Sequence, residues 1–356
     1  MFAAVSHYAL PPYRSVSIGI DHGRLGEMGS MSQVLAHEKW FVDDPGAFHG
    51  DWSFFFQAGS LLLAGGAVLV AVAWHIVGGR MRRPELPFLE PIGRLAPWIP
   101  RLLGIHLGVS LLSLSVSDAY LAPNLTLEGV PGRPLIALVQ GVLGVWLITG
   151  VALRPAALVT LLLGPLAAVL AGPVAMLEAI DLLGIALFLA LLPPGPDRWG
   201  AVEPAREDLV RAITALRVFV GLALVVLAFS EKFANPDLAR GFIDGYPAFD
   251  LFGTLGLPLH ADTFIRFAAS IELLFGLLLI SGRMPQLAVI VAGIPFNATL
   301  FFLGRVELIG HLPVYGAMLA LLVYGSSRAY ADAVPAWPSL KALRTLRTPG
   351  PAASRS

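Results

Sequence analysis

Glu272, in the run Ile271-Glu272-Leu-Leu-Phe-Gly276, is an acid inside an otherwise apolar segment. At 1.5 Å rise per residue it would lie ~13 Å below the surface of a bilayer, near the midplane. A carboxylate at that depth is tolerated when it faces a bundle interior, pairs with a cation or stays protonated. It can then accept a proton or orient a substrate. Glu307, His311 and Tyr315 recur every fourth residue, which places them along one helix face. His311 can hydrogen-bond in either protonation state near neutral pH, and Tyr315 adds a hydroxyl one turn on. Asn297 falls in the outer half of the preceding apolar segment. Glu231 and Lys232 close another segment just before Asn235-Pro236, which stops the helix. Lys232 there either snorkels to the interface or guides an anionic substrate. The expected site is an outward-opening pocket with Glu272 and His311 as proton-handling catalytic groups. Asn297, Glu307 and Tyr315 line it to bind substrate, and Lys232 stands at the mouth.

The elements that position these residues are membrane helices. The 356-residue chain is 56% hydrophobic and 13% charged, with a mean hydropathy of +0.75, so its core solvent is a lipid bilayer. Apolar stretches of ~20 residues without alternation predict helices rather than barrel strands. Balanced charge, 24 basic against 24 acidic residues, leaves no nucleic-acid footprint. Cysteine is absent, which excludes disulfides, thiolate nucleophiles and cysteine-ligated metal clusters. Any redox role needs a cofactor or a partner.

About nine apolar segments are expected, at roughly 54 to 77, 101 to 121, 135 to 153, 156 to 173, 176 to 193, 212 to 233, 264 to 281, 285 to 303 and 308 to 325. The domains read as an extracytoplasmic segment 1–53, a first helix and cytoplasmic linker 54–100, four-helix repeats at 101–195 and 212–325, and a cytoplasmic tail 326–356. Residues 1–27 read as polar and disordered, with Met28 and Met31 as alternative starts. His37 to Trp52 reads as an interfacial anchor, and segment one, with no signal peptide before it, as the translocation signal. Basic residues collect at Arg80, Arg82, Arg83 and Arg94, at Arg198, Arg206 and Arg211, and at Arg328, Lys341, Arg344 and Arg347. The positive-inside rule then puts the N-terminus outside and the C-terminus in the cytoplasm of a cell-membrane protein.

An internal duplication supports the division. Ser117-Asp-Ala-Tyr-Leu-Ala-Pro123-Asn124 returns as Ser230-Glu-Lys-Phe-Ala-Asn-Pro236-Asp237, and Gly144-Val-Trp-Leu-Ile-Thr-Gly150 as Gly276-Leu-Leu-Leu-Ile-Ser-Gly282. The fold class is therefore an all-α integral membrane protein with one N-terminal helix and two parallel four-helix bundles related by an axis along the membrane normal. Gln140 stands where the second copy has Glu272, and Ala119 where it has Lys232, so the second copy reads as the chemical one. Glu178 and Asp181 remain in the first, which reads as structural.

Other signals are weaker. His75 and His106 offer axial ligands for haem, but an interfacial and a bundle histidine explain them as well. His37 and His49 with Glu38, Asp43 or Asp44 match no recognised metal-ligand spacing, and no metal site is assigned. Gly65-Gly66 and Gly78-Gly79 read as helix-contact or end features. No nucleotide-binding or hydrolase motif is present.

The second copy, with Leu216-Arg-Val-Phe-Val-Gly221, Ser230-Glu-Lys232-Phe-Ala-Asn-Pro236 and Ile271-Glu272 through Gly282, resembles the DoxX-like family of four-span membrane proteins. Lys232, Glu272 and Gly276 match that family's pattern; His311 comes from placement alone. The resemblance implies a link to membrane redox systems, since the family includes a DoxD-type subunit of thiosulfate:quinone oxidoreductase and is similar to MauE-type maturation proteins. Absent cysteines argue against a MauE-like thiol role. The leading expectation is a redox-associated subunit that binds quinone, with electrons from an extracytoplasmic partner. The alternatives are a non-catalytic scaffold, whose 234 to 262 loop with Tyr246, Phe249 and Phe252 docks a partner, and a small-molecule or lipid transporter.

Overall fold

The computed structural model describes residues 37–42, 44–192 and 201–341, with the side chains of 37, 301 and 302 outside that description. The stretch 1–27, Met28, Met31, Asp43, Arg198, Arg344 and Arg347 lie outside the described residues, as does the His37 side chain. Regular structure among the described residues is helical, apart from an isolated bridge between Ala119 and Thr126. The helices are α1 (Ala58–Gly78), α2 (Ile99–Val116), α3 (Arg133–Thr149), α4 (Leu153–Thr160), α5 (Leu163–Ala171), α6 (Pro173–Glu178), α7 (Ile180–Leu191), α8 (Arg206–Leu227), α9 (Pro236–Gly245), α10 (Leu251–Thr254), α11 (Ala261–Ser281), α12 (Pro285–Leu303) and α13 (Arg305–Ser326).

Among the described residues, six stretches are long and apolar enough to cross a membrane: Ala58–Gly78, Pro87–Val116, Leu153–Ala171, Arg206–Phe233, Ala261–Ser281 and Arg305–Ser326. Arg133–Thr149, Ile180–Leu191 and Pro285–Leu300 are apolar but shorter. The protein is thus all-helical and suited to a bilayer. The expected segment 156 to 173 is divided at Leu161–Leu162 between α4 and α5. Pro165 accounts for the break, because its ring clashes with the carbonyl four residues back and it has no N–H to give. The segment expected at 176 to 193 is likewise divided, at Ala179 between α6 and α7. Beyond α8 the chain widens into a π-turn over Ala228–Phe233, where Ala234 N–H reaches Phe229 O at 2.8 Å. The wider turn redirects side chains, and Glu231 and Phe233 end fully buried.

Two helix crossings place the rest. A Cβ on Gly108 of α2 would sit 2.6 Å from Gly144 O of α3, and one on Gly221 of α8 would sit 2.5 Å from Gly276 O of α11. Only the missing side chains let these backbones touch, as in small-residue helix packing elsewhere. Each crossing is followed by a turn through a left-handed glycine, Gly150 or Gly282, and a left-handed residue two further on, Ala152 or Met284. The α1 helix lies on α11, where Ala64 and Ala67 join Ala269 and Leu273. Gly78 meets Arg283 and Met284 there, whereas Gly65 and Gly66 face open space and mark no helix contact.

At one end of the bundle the basic linker, the Gly282 turn and the tail meet. Gln286 bonds Leu86 and Ser326, Arg328 pairs with Glu90 at 2.7 Å, and Trp74 donates to Arg283 O. Elsewhere the 234 to 262 loop is folded rather than free. Arg240 binds both oxygens of Asp262 at 2.8 and 2.9 Å. Phe242 and Tyr246 stack on each other and pack against Phe41, Phe249 meets Phe242 edge-on, and Phe252 packs against Phe264.

Candidate functional site

A single helical turn, His37–Trp40, joins three parts of the molecule. Glu38 Oε1 lies 3.2 Å from Lys232 Nζ, Lys39 Nζ lies 2.9 Å from Glu178 Oε1 of α6, and the Trp40 ring centroid lies 4.9 Å from that of His311 on α13. The backbone N–H of Glu38 donates to Glu231 Oε2 at 3.2 Å. Trp40 sits against Gly310, where any side chain would collide with the indole. Within the expected anchor the turn at His37–Trp40 is an internal element, with Lys39 only 7% exposed, whereas Trp52 is 55% exposed.

Lys232 is the centre of the charged cluster. Its Nζ stands 3.2 Å from Glu272 Oε2, 3.2 Å from Glu38 Oε1 and 3.6 Å from Glu231 Oε2. The π-turn supplies Lys232 and Glu231, the middle of α11 supplies Glu272, and the N-terminal turn supplies Glu38. Three acids around one ammonium bind each other strongly only because water is excluded, and that same exclusion makes any unpaired charge costly. Burial pushes the Glu38 carboxyl above its ordinary range, with the Lys232 ammonium pulling the other way.

A second pair lies close by. His311 Nδ1 is 3.1 Å from Glu307 Oε1, and both side chains are buried. The imidazole stands between the Trp40 ring and the Phe296 ring, the latter edge-on at 5.1 Å. Tyr315 donates its hydroxyl to Phe296 O at 2.8 Å, so it braces the ring beside His311. Beside Trp40 runs a cleft of about 50 Å³ lined by Glu178 and Asp181, Val220 and Leu224 of α8, and Gly310 and Pro313 of α13. That volume holds about one or two waters. A larger recess of about 440 Å³ between α2 and α3 is apolar apart from Ser115 and offers no group to exchange a proton.

The residues picked out from sequence fall into two clusters and one outlier. Glu272 joins Lys232, and Glu307, His311 and Tyr315 gather around Phe296. Lys232 is buried in its ion pairs rather than set at a mouth. Asn297 is exposed and donates to Gly293 O of its own helix at 2.7 Å, apart from both clusters. The turn at Glu38, Lys39 and Trp40 was missed as a site element, and so was the membership of Glu231. The signal available was charge complementarity: a Glu-Lys pair in the N-terminal stretch and a Glu-Lys pair at the end of α8. Glu178, read as a remnant of a structural copy, holds Lys39.

His106 Nδ1 lies 2.8 Å from Leu102 O of its own helix, and His75 is exposed. Among the described residues no three His, Asp or Glu side chains are gathered closely enough to hold a metal ion. Compared with known proteins, the chain matches no family model, no curated protein and no solved structure.

Proposed function

We propose that this chain is a multi-pass, redox-associated membrane subunit that binds a quinone or similar hydrophobic ring carrier beside His311. The carrying observation is the seat of Trp40: a flat aromatic ring already rests against an imidazole that is held by a buried carboxylate. Such a seat suits a planar carrier, and the cleft around it is apolar with a few convergent acids. With Nδ1 turned to Glu307, Nε2 of His311 is the nitrogen that would exchange a proton with the bound ring, and Glu307 would restore it. Because the chain has no cysteine, electrons would come from an extracytoplasmic partner.

The architecture belongs to the same reading. Nine crossings arise if the three shorter apolar helices also span, giving one N-terminal helix and two parallel DoxX-like bundles. The matched crossings at Gly108–Gly144 and Gly221–Gly276 support the duplication. The gathering of Arg80, Arg82, Arg83 and Arg328 near one end supports a cytoplasmic C-terminus in a cell membrane.

The test is extraction of bound quinone from chain purified in mild detergent. We expect less than one quinone per chain in wild type, with the amount falling in His311→Ala and rising toward one in Trp40→Ala, because removing the indole opens the seat. No quinone in wild type or in Trp40→Ala would end the reading. A scaffold is the second reading, favoured by the internal pairing of Glu38, Lys39, Glu178 and Lys232. A stoichiometric extracytoplasmic partner that co-purifies with quinone-free chain would support it.

A further inference from the structure

We propose that the Lys232 cluster is a proton-binding site in which Glu231 carries a dissociable proton while Lys232 remains an ammonium. The inference stands apart from the quinone reading, since it follows from charge and burial whatever the cleft binds.

Glu38, Glu231 and Glu272 surround a single ammonium, which leaves two negative charges uncompensated. The nearby Lys39 does not close the gap, because Glu178 claims its Nζ at 2.9 Å. The charged groups facing Glu231 come from every neighbouring element: Glu38 and Lys39 from the N-terminal turn, Glu178 from α6, Lys232 from its own turn, with Glu272 from α11 joined through Lys232. Acids outnumber bases by two in this set, and a proton on Glu231 removes one of those charges without needing space, leaving the other to the partly exposed Glu38 and Glu272.

Geometry selects Glu231 as the carrier. It is 0% exposed, whereas the side chains of Glu38 and Glu272 are 12% and 16% exposed. Its Oε2 takes the Glu38 N–H, but its Oε1 is buried with no hydrogen-bond partner. Glu38 Oε2 and Glu272 Oε2 are likewise buried without a hydrogen-bond partner, but their side chains reach solvent elsewhere, so an ionised Glu231, closed off entirely, is the costliest of the three and a carboxylic acid there is the cheapest relief. Glu38 and Glu272, the carboxylates with some side-chain exposure, would pass the proton to and from Glu231.

The experiment is infrared spectroscopy of the full chain in lipid nanodiscs at neutral pH. We expect a protonated-carboxyl carbonyl band that shifts in deuterated buffer, disappears in Glu231→Gln and moves without disappearing in Glu231→Asp. A wild-type spectrum lacking that band would overturn the proposal. So would a band that both variants leave unmoved. If Glu231→Gln does not fold, Glu231→Asp decides alone: a shifted band supports Glu231 as the carrier, and an unchanged one refutes it.

Discussion

The α2–α3 and α8–α11 pairs cross at glycines in the same way, yet they bury opposite kinds of polar group at the same place. In the first, Gln140 is fully buried and satisfied by backbone alone: its Nε2 donates to Leu111 O and Ala119 O, and its Oε1 accepts from Leu121 N. In the second, Glu272 reaches Lys232, and both depend on charges brought by other elements. A neutral amide can close its accounts inside one helix pair, whereas an ion needs partners of opposite sign. The first pair is self-sufficient, and the second recruits the turn at His37–Trp40.

The largest expected break in that comparison is Lys232→Ala, which leaves three acids without their cation. It should cost about 3–5 kcal/mol, as removal of one partner from a buried ion pair does, read as thermal unfolding in detergent. Adding Glu272→Gln to Lys232→Ala installs the residues of the first pair. The double variant should be more stable than Lys232→Ala alone, and a double variant as unstable as the single would show that the two sites are not equivalent. Gln140→Ala should cost less than Lys232→Ala, about 1–3 kcal/mol, because only neutral hydrogen bonds are lost.

Gly144→Ala and Gly276→Ala sharpen the likeness rather than the difference. Each places a Cβ within 2.7 Å of a facing backbone oxygen, so each should cost a similar amount, about 1–3 kcal/mol. A large inequality in measured unfolding would separate the two crossings. The smallest effect is expected from Glu38→Gln. Burial raises the Glu38 carboxyl in the folded protein, so its contribution is fully present below the ordinary carboxylate range and is lost as pH rises through the folded value. The wild type should therefore lose stability over that window, and Glu38→Gln should show a shallower fall in a pH series of unfolding temperatures.

Much of the fold could be read from sequence because its causes are local. Apolar runs predicted the long helices α1, α2, α3, α8, α11, α12 and α13 but not the short α9 and α10 within the expected 234 to 262 loop, and Asn235-Pro236 marked the end of the α8 extension. Pro165 divided a segment that hydropathy alone drew as one. The site was legible only in part. Glu272 was singled out by the cost of its depth, and its tolerance by pairing with a cation was one of the three expected solutions. Glu307, His311 and Tyr315 were joined by helical spacing, which the structure keeps on one face of α13. Asn297 shares their depth but not their direction, a distinction that hydropathy does not carry.

By itself the sequence determined an apolar, cysteine-free, all-helical chain with matched glycines and a few costly polar residues, since each of these follows from composition or short-range periodicity. Tertiary structure alone decided which charge meets which. Glu38 and Glu231 are 193 positions apart, and Lys39 and Glu178 are 139 apart. Ion pairing depends on distance in space and on the exclusion of water, and neither is set until the helices have packed.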